Sequence, residues 1–173
     1  TEAPVIDLCP ADREVLTSGN GTDDCTGDVP NLVDEVLAHD NCTAFEDLII
    51  TQNPLAGTDF GAAHGDVQIV VITVTDEAGN SSTCEVTLTL IDDEDPWVDC
   101  SSILETNLGT NNDKCAHLVS GTDLDPDFGD NCHAVLTHDY FPAPHLWTLN
   151  GAILPLGETT VTWTATDDNG NTA

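Results

Sequence analysis

One phrase occurs twice in this chain, and it restricts the possible folds more than any other feature. Residues 71–80 read VITVTDEAGN and residues 162–171 read TWTATDDNGN. Each is a run of β-branched residues that breaks into Asp-x-x-Gly-Asn, the chemistry of a strand running into a tight turn. The cysteines keep the same register: Cys9, Cys25 and Cys42 recur as Cys100, Cys115 and Cys132, after 91, 90 and 90 residues. Asp40-Asn41-Cys42 returns as Asp130-Asn131-Cys132, and Asp76, Gly79 and Asn80 return as Asp167, Gly170 and Asn171. In 173 residues this period predicts two like modules, 1–92 and 93–173. Repeated modules with no catalytic asymmetry between them are expected to bind, space or build.

The local pattern is β throughout. Strands are predicted at Val5–Cys9, Glu14–Thr17, Asn31–Leu37, Asp47–Thr51, Val67–Thr75 and Cys84–Ile91. In the last of these Val86, Leu88 and Leu90 alternate with Thr87 and Thr89, one face in and one face out. Gly, Asn and Pro punctuate the intervals. Short strands at this spacing predict an all-β sandwich, and the weak helical pattern at Leu32–Leu37 is the only competitor. In the second module Val161, Trp163 and Ala165 share a face, which places Trp163 in the core. The acidic, proline-stiffened stretch Asp92-Asp93-Glu94-Asp95-Pro96 is the expected linker, restricting the relative orientation of the modules.

A module of about 90 residues buries too little to dispense with a staple, and seven cysteines can supply one. Disulfides persist in oxidising compartments, so an extracellular or cell-surface location is expected. No Cys-x-x-Cys pair is present, which weakens a zinc site.

The charge narrows the partners. Twenty-three Asp and nine Glu face only Arg13 and Lys114, for a formal charge of −30. Such a chain repels nucleic acid phosphates and anionic lipid headgroups. No apolar run is long enough to span a bilayer. Self-repulsion on this scale disfavours a compact state unless cations offset it, and short carboxylates in turns suit Ca²⁺. A solvated acidic coat is the competing account. The motifs of serine hydrolases, zinc proteases and phosphate-binding loops are all missing, so no catalysis is expected.

The repeat resembles the hyalin repeat (HYR) family. The residues that carry the resemblance are Cys9-Pro10, Asp40-Asn41-Cys42 and the run from Thr73-Val74-Thr75-Asp76 through Gly79-Asn80 to Cys84. The second copy offers Cys100, Asp130-Asn131-Cys132, Leu154-Pro155-Leu156-Gly157 and Thr164-Ala165-Thr166-Asp167 through Asn171. Cys100 departs from the pattern in being followed by Ser101 rather than proline. The resemblance covers essentially the whole chain. It implies tandem immunoglobulin-like β-sandwich modules of an extracellular matrix protein or a bacterial surface adhesin, without catalysis.

Four cysteines allow three pairings in a module. The resemblance, in a fold whose first strand and last strand share an end, implies Cys9–Cys84, then Cys25–Cys42 and by equivalence Cys115–Cys132. Cys100 is left to await a partner beyond residue 173. The second module lacks a last strand within this window. The expectations are a window cut from a longer array or completion by a strand from a neighbouring chain.

In sandwiches of this class the loops bearing Asp40, Asn41, Asp76 and Asn80 cluster where the chain enters the module. The same loops of the second module carry Asp130, Asn131, Asp167, Asp168 and Asn171, and are expected to face Asp92, Asp93, Glu94 and Asp95. That is enough oxygen for Ca²⁺, which would lock the modules into a rod. Asp76 and Asp167 have a second possible role, that of bonding their own turns. A further candidate is the alternation Asp123, Asp125, Asp127, which lacks the glycine and the terminal Glu of an EF-hand.

The function expected is a disulfide-stapled, Ca²⁺-rigidified stretch of an adhesin or extracellular filament, with neighbouring repeats or copies of itself as partners. The alternative is an accessory module that binds a surface glycan or a protein ligand. Tyr140, Phe141 and Trp147 in 133–147 are the place to look for such a ligand site, unless those rings are core.

Overall fold

A computed structural model of the chain describes residues 2–21, 24–103, 107–111 and 115–173. It divides into two compact units, Thr1–Asp93 and Glu94–Ala173. The described residues form strands and short 3-10 turns and no α-helix.

Unit 1 is a two-layer sandwich. Its strands are β1 (Val5–Leu8), β2 (Arg13–Leu16), β3 (Gly27–Asp28), β4 (Leu37–His39), β5 (Ile49–Asn53), β6 (Asp59–Phe60), β7 (Val67–Thr75) and β8 (Ser81–Ile91). One layer is a four-stranded sheet of order β2-β8-β7-β5, in which β2 runs parallel to β8 and the other pairs are antiparallel. The other layer consists of the pairs β1–β4 and β3–β6. Alternation decides which side of the sheet is covered: Val70, Ile72 and Val74 of β7 and Val86, Leu88 and Leu90 of β8 are fully buried. Val29, Leu32, Val36, Ala38 and Phe60 meet them from the opposite layer.

Two elements differ from the sequence pattern. The segment Asn31–Leu37 is not a strand but holds a 3-10 turn at Val33–Glu35, with β4 starting only at Leu37. Leu32 and Val36 are both buried while Asp34 between them is exposed; a strand would put all three on one face. Asn31 Oδ1 accepts from Val33 N–H, and Arg13 forks onto the Glu35 carboxylate. β3 and β6, two residues each, carry no periodic signal at all.

In unit 1 the turn Asp76–Asn80 marks the proximal end and Asp92–Asp93, after β8, the distal end. Cys9 and Cys84 are joined by a disulfide that closes 75 residues. Cys42 and Cys115 are free thiols, so the Cys25–Cys42 and Cys115–Cys132 pairings implied by the resemblance are not made. The reason is the length of the sandwich. Gly27, two residues beyond Cys25, lies against Leu90 at the distal end. Cys42 lies beside the proximal turn, where Glu77 N–H donates to Thr43 Oγ1. β8 alone, at 11 residues, spans roughly 35 Å, and a disulfide bridges Cα atoms less than about 7 Å apart. Cys132 and Cys115 repeat this placement, the first next to the strand that meets Asp167 and the second before a strand paired elsewhere. Cys100 is a free, half-buried thiol.

Unit 2 repeats three of the strand pairings of unit 1, with β9 (Trp97–Asp99), β10 (Ala116–Leu118), β11 (Asp127–Gly129), β12 (Ala134–His138), β13 (Ile153–Pro155) and β14 (Trp163–Asp167); no counterpart of β2 or β8 lies among its described residues. The pairs are β9–β11, β10–β13 and β12–β14, all antiparallel. Its core is smaller: Val119, Leu149 and Ala152, with Leu124, Tyr140, Leu154, Val161 and Trp163 packed on them. Trp97 is not core; its ring covers Gly129, where a Cβ would come within 2.7 Å of it, and about half of it is exposed.

Candidate functional site

The proximal end of unit 1 gathers carboxylates from three parts of the chain. Asp40 follows β4 and turns its Oδ2 onto the N–H groups of Cys42 and Thr43 (both 2.9 Å). Asp76 follows β7; its Oδ1 accepts from Asn80 N–H and its Oδ2 from Asn80 Nδ2 (both 2.7 Å). Asn80 Nδ2 also donates to the Glu2 carbonyl at 3.3 Å, and Asn41 Nδ2 donates to the Glu2 carboxylate at 3.2 Å. Glu2, Asp40, Asn41, Cys42, Thr43, Asp76, Glu77 and Ala78 line a cleft of about 130 Å³, room for an ion with a few waters at about 30 Å³ each.

The electrostatics keep these groups ionised. Backbone N–H bonds from Cys42 and Thr43 hold the Asp40 carboxyl below its ordinary value. The Asn80 side-chain amide does the same for Asp76, against burial and the nearby Asp40 charge, which both act upward. Yet Asp40 Oδ1 is buried and makes no hydrogen bond.

Unit 2 builds the same end from residues displaced by 90 to 92 positions. Asp167 Oδ1 accepts from the N–H groups of Asn169, Gly170 and Asn171, and Oδ2 from Asn171 Nδ2 at 2.8 Å. Asn171 Nδ2 reaches the Glu94 carbonyl at 3.3 Å, as Asn80 reaches Glu2. Asp130 Oδ2 accepts from Cys132 N–H, and carboxylate oxygens of Asp130 and Asp167 lie within 4.8 Å of each other. Asp130 Oδ1 is buried without a hydrogen bond, as are both polar atoms of the Asn131 side chain.

The sequence-derived site residues thus separate into groups. Asp40, Asn41, Asp76 and Asn80 meet in unit 1; Asp130, Asn131, Asp167 and Asn171 meet in unit 2. Asp76 and Asp167 do bond their own turns, and both still have lone pairs to offer. Of the linker acids, Asp92 is fully buried, accepting from Thr17 Oγ1 while its N–H donates to His64 Nδ1. Asp93 accepts from Ser18 N–H and Ser18 Oγ; burial pushes its carboxyl up, but those bonds outweigh it and hold it low. Glu94 contributes its carbonyl, and Asp95 is exposed.

Asp123, Asp125 and Asp127 do not converge on one point. Asp125 accepts from Thr148 Oγ1 and Leu149 N–H, while Asp127 sits in β11 opposite Asp99. Asp168 accepts from or pairs with His133 at 3.0 Å. Glu2 was not singled out from the sequence, although a signal existed. Glu2-Ala3-Pro4 and Glu94-Asp95-Pro96 are the same Glu-x-Pro preceding the first strand of each unit.

No family model matches the chain. Solved structures that align with 99% of it include protocadherin gamma B7 extracellular cadherin domains 1–4 (17% identity, TM-score 0.42, 47% of that chain). The human desmocollin-1 ectodomain (14%, 0.37, 35%) and sidekick-1 immunoglobulin domains 1–4 (14%, 0.43, 46%) are others. The chain spans less than half the length of each.

Proposed function

We propose that the chain is a non-catalytic adhesive or structural part of an extracellular surface protein. In this reading it consists of two immunoglobulin-like modules of the hyalin-repeat kind, each stiffened by Ca²⁺ at its proximal end. One observation carries the reading. The same carboxylate arrangement is built twice, and each time one buried carboxylate oxygen, Asp40 Oδ1 or Asp130 Oδ1, has no hydrogen bond. A buried anionic oxygen without a partner is costly. A hard divalent cation coordinated by oxygen removes that cost.

The residues fit such an ion. In unit 1 the donors would be Glu2, Asp40 and Asp76; in unit 2, Asp130, Asp167 and the Asn131 carbonyl. Bound Ca²⁺ supplies positive charge and a tie between loops from separate parts of the chain. Protein cations offer no substitute, since Arg13 is the only Lys or Arg among the described residues and it is engaged with Glu35. The Cys9–Cys84 disulfide supports an oxidising, extracellular setting. Neighbouring repeats or copies of the chain are the partners this reading implies.

Calorimetric melts in Ca²⁺, in Mg²⁺, in chelator and in NaCl of matched ionic strength test it. Ca²⁺ at about 100 times its Kd is expected to raise Tm by about 10 °C. The double variant Asp40→Asn with Asp130→Asn keeps the turn-capping oxygens and removes the charge; it is expected to lose that rise. A Ca²⁺ response no larger than that of NaCl overturns the metal sites.

A further inference from the structure

The two units differ in the length of one loop. Gln52 of β5 and His138 of β12 occupy the same place, opposite Ile72 and Trp163 of the following strand. The two loops also close alike, through Gly57 N–H on Val29 O and Gly151 N–H on Val119 O, with Leu55 and Leu149 in matching turns. Between those fixed points unit 1 has two residues, Asn53 and Pro54, and unit 2 has ten, 139–148.

The additional residues display apolar surface. Phe141 is 88% exposed, and Leu146 and Trp147 are each 62% exposed. His145 stacks on Trp147 with ring centroids 4.9 Å apart. The loop is nevertheless held in place. His138 N–H donates to Leu146 O at 2.8 Å, and His138 Nε2 lies 3.2 Å from Thr148 O. Tyr140 OH reaches Ile153 O at 2.7 Å, and Asp125 fixes Thr148 and Leu149. Pro144 backs onto Gly151, where a Cβ would stand 3.0 Å from it. Such a loop presents its rings with little ordering left to do on binding.

Carboxylates stand at both ends of the loop: exposed Asp139 two residues before Phe141, and Asp125 bonded beside Trp147. From residue 115 to residue 173 the chain has eight Asp or Glu and no Lys or Arg. We propose that the 139–148 loop is a docking surface for a basic protein segment, whose arginine or lysine side chains lie on Phe141 and Trp147 between the flanking carboxylates. Aromatic faces attract cations, Trp most strongly, and the surrounding acidic field raises the local concentration of a basic partner. A neutral sugar can stack on the same rings but gains nothing from that field, and acidic partners are repelled by it. The inference is independent of the Ca²⁺ sites.

The test uses the full 173-residue chain in chelator at about 0.15 M NaCl, where long-range charge effects are screened. The probe is an alternating Gly-Arg peptide, followed by calorimetry and Trp emission. Phe141→Ala with Trp147→Ala is expected to weaken binding about tenfold, Asp139→Asn about threefold, and Glu46→Gln, a substitution in unit 1, less than twofold. Phe141→Ser alone serves if the double variant melts lower. Equal binding by wild type and the ring variants, or no binding, overturns the proposal. So does ring-dependent binding of an uncharged oligosaccharide or a phosphatidylcholine vesicle in place of the peptide. Loss of the loop's binding while Ca²⁺ still raises Tm removes the docking surface and leaves the proposed function standing.

Discussion

At the scale of the residue, the carboxylates of this chain follow opposite rules according to what faces them. Asp28 stands directly across from Asp59 in the β3–β6 pair, and the hydrogen bond between the two side chains raises the Asp28 carboxyl above its ordinary value. A raised folded-state pKa contributes stability that is complete below the unfolded carboxyl value and is lost as pH rises through the folded one. At neutral pH the pair is therefore a net repulsion. Asp28→Asn is expected to raise Tm slightly at pH 7 and to leave it unchanged near pH 3; thermal melts across that range check it. Asp40 and Asp76 carry the other sign, because their hydrogen bonds favour the ionised form. The turn role of Asp76 was legible as Asp-x-x-Gly-Asn, whose local spacing dictates the bonds; that of Asp40, which accepts from Cys42 and Thr43 N–H, was not read from Asp-Asn-Cys. The Asp28–Asp59 pairing was not legible, because it depends on the register of two-residue strands 31 positions apart.

At the scale of the element, strand length separates what could be read from what could not. β7 and β8 have nine and eleven residues, and their alternation survives any uncertainty in the ends. Their partner layer is made of strands of two to four residues, held by Gln52, whose Oε1 accepts from Leu32 N–H and whose Nε2 reaches Pro30 O. No periodicity announces such a polar peg. The Cys9–Cys84 closure ties the chain following β1 to β8 across 75 residues, worth about 4 kcal/mol in the chain-entropy account. Cys9→Ser with Cys84→Ser is expected to lower the stability of unit 1 by that order, with unit 2 unaffected; denaturant melts of the variant in chelator measure it.

At the scale of the whole molecule, a formal charge of −30 on 173 residues makes stability a matter of counter-charge. Folded carboxyls held below the ordinary range, as at Asp40 and Asp76, contribute stability that is present above the unfolded value of about 3.9 and is lost as pH falls through the folded value. The Ca²⁺-linked rise in Tm is therefore expected to persist from pH 7 to about pH 5 and to disappear below about pH 4. A rise that faded already between pH 7 and pH 6 would point to histidine ligands instead. The sequence by itself determined the all-β class and the strands long enough to alternate, because these follow from spacing along one segment. It also determined which turns carry acids. Only the tertiary structure decided that Cys25 and Cys42 lie at opposite ends of unit 1, because sequence order says nothing about which end of a sandwich a loop reaches. It alone decided that Glu2 joins Asp40 and Asp76, that Asp125 braces a loop rather than a cation site, and that Phe141 and Trp147 point outward while Tyr140 packs on the core. Each of those depends on distances between segments remote in the chain, which only packing sets.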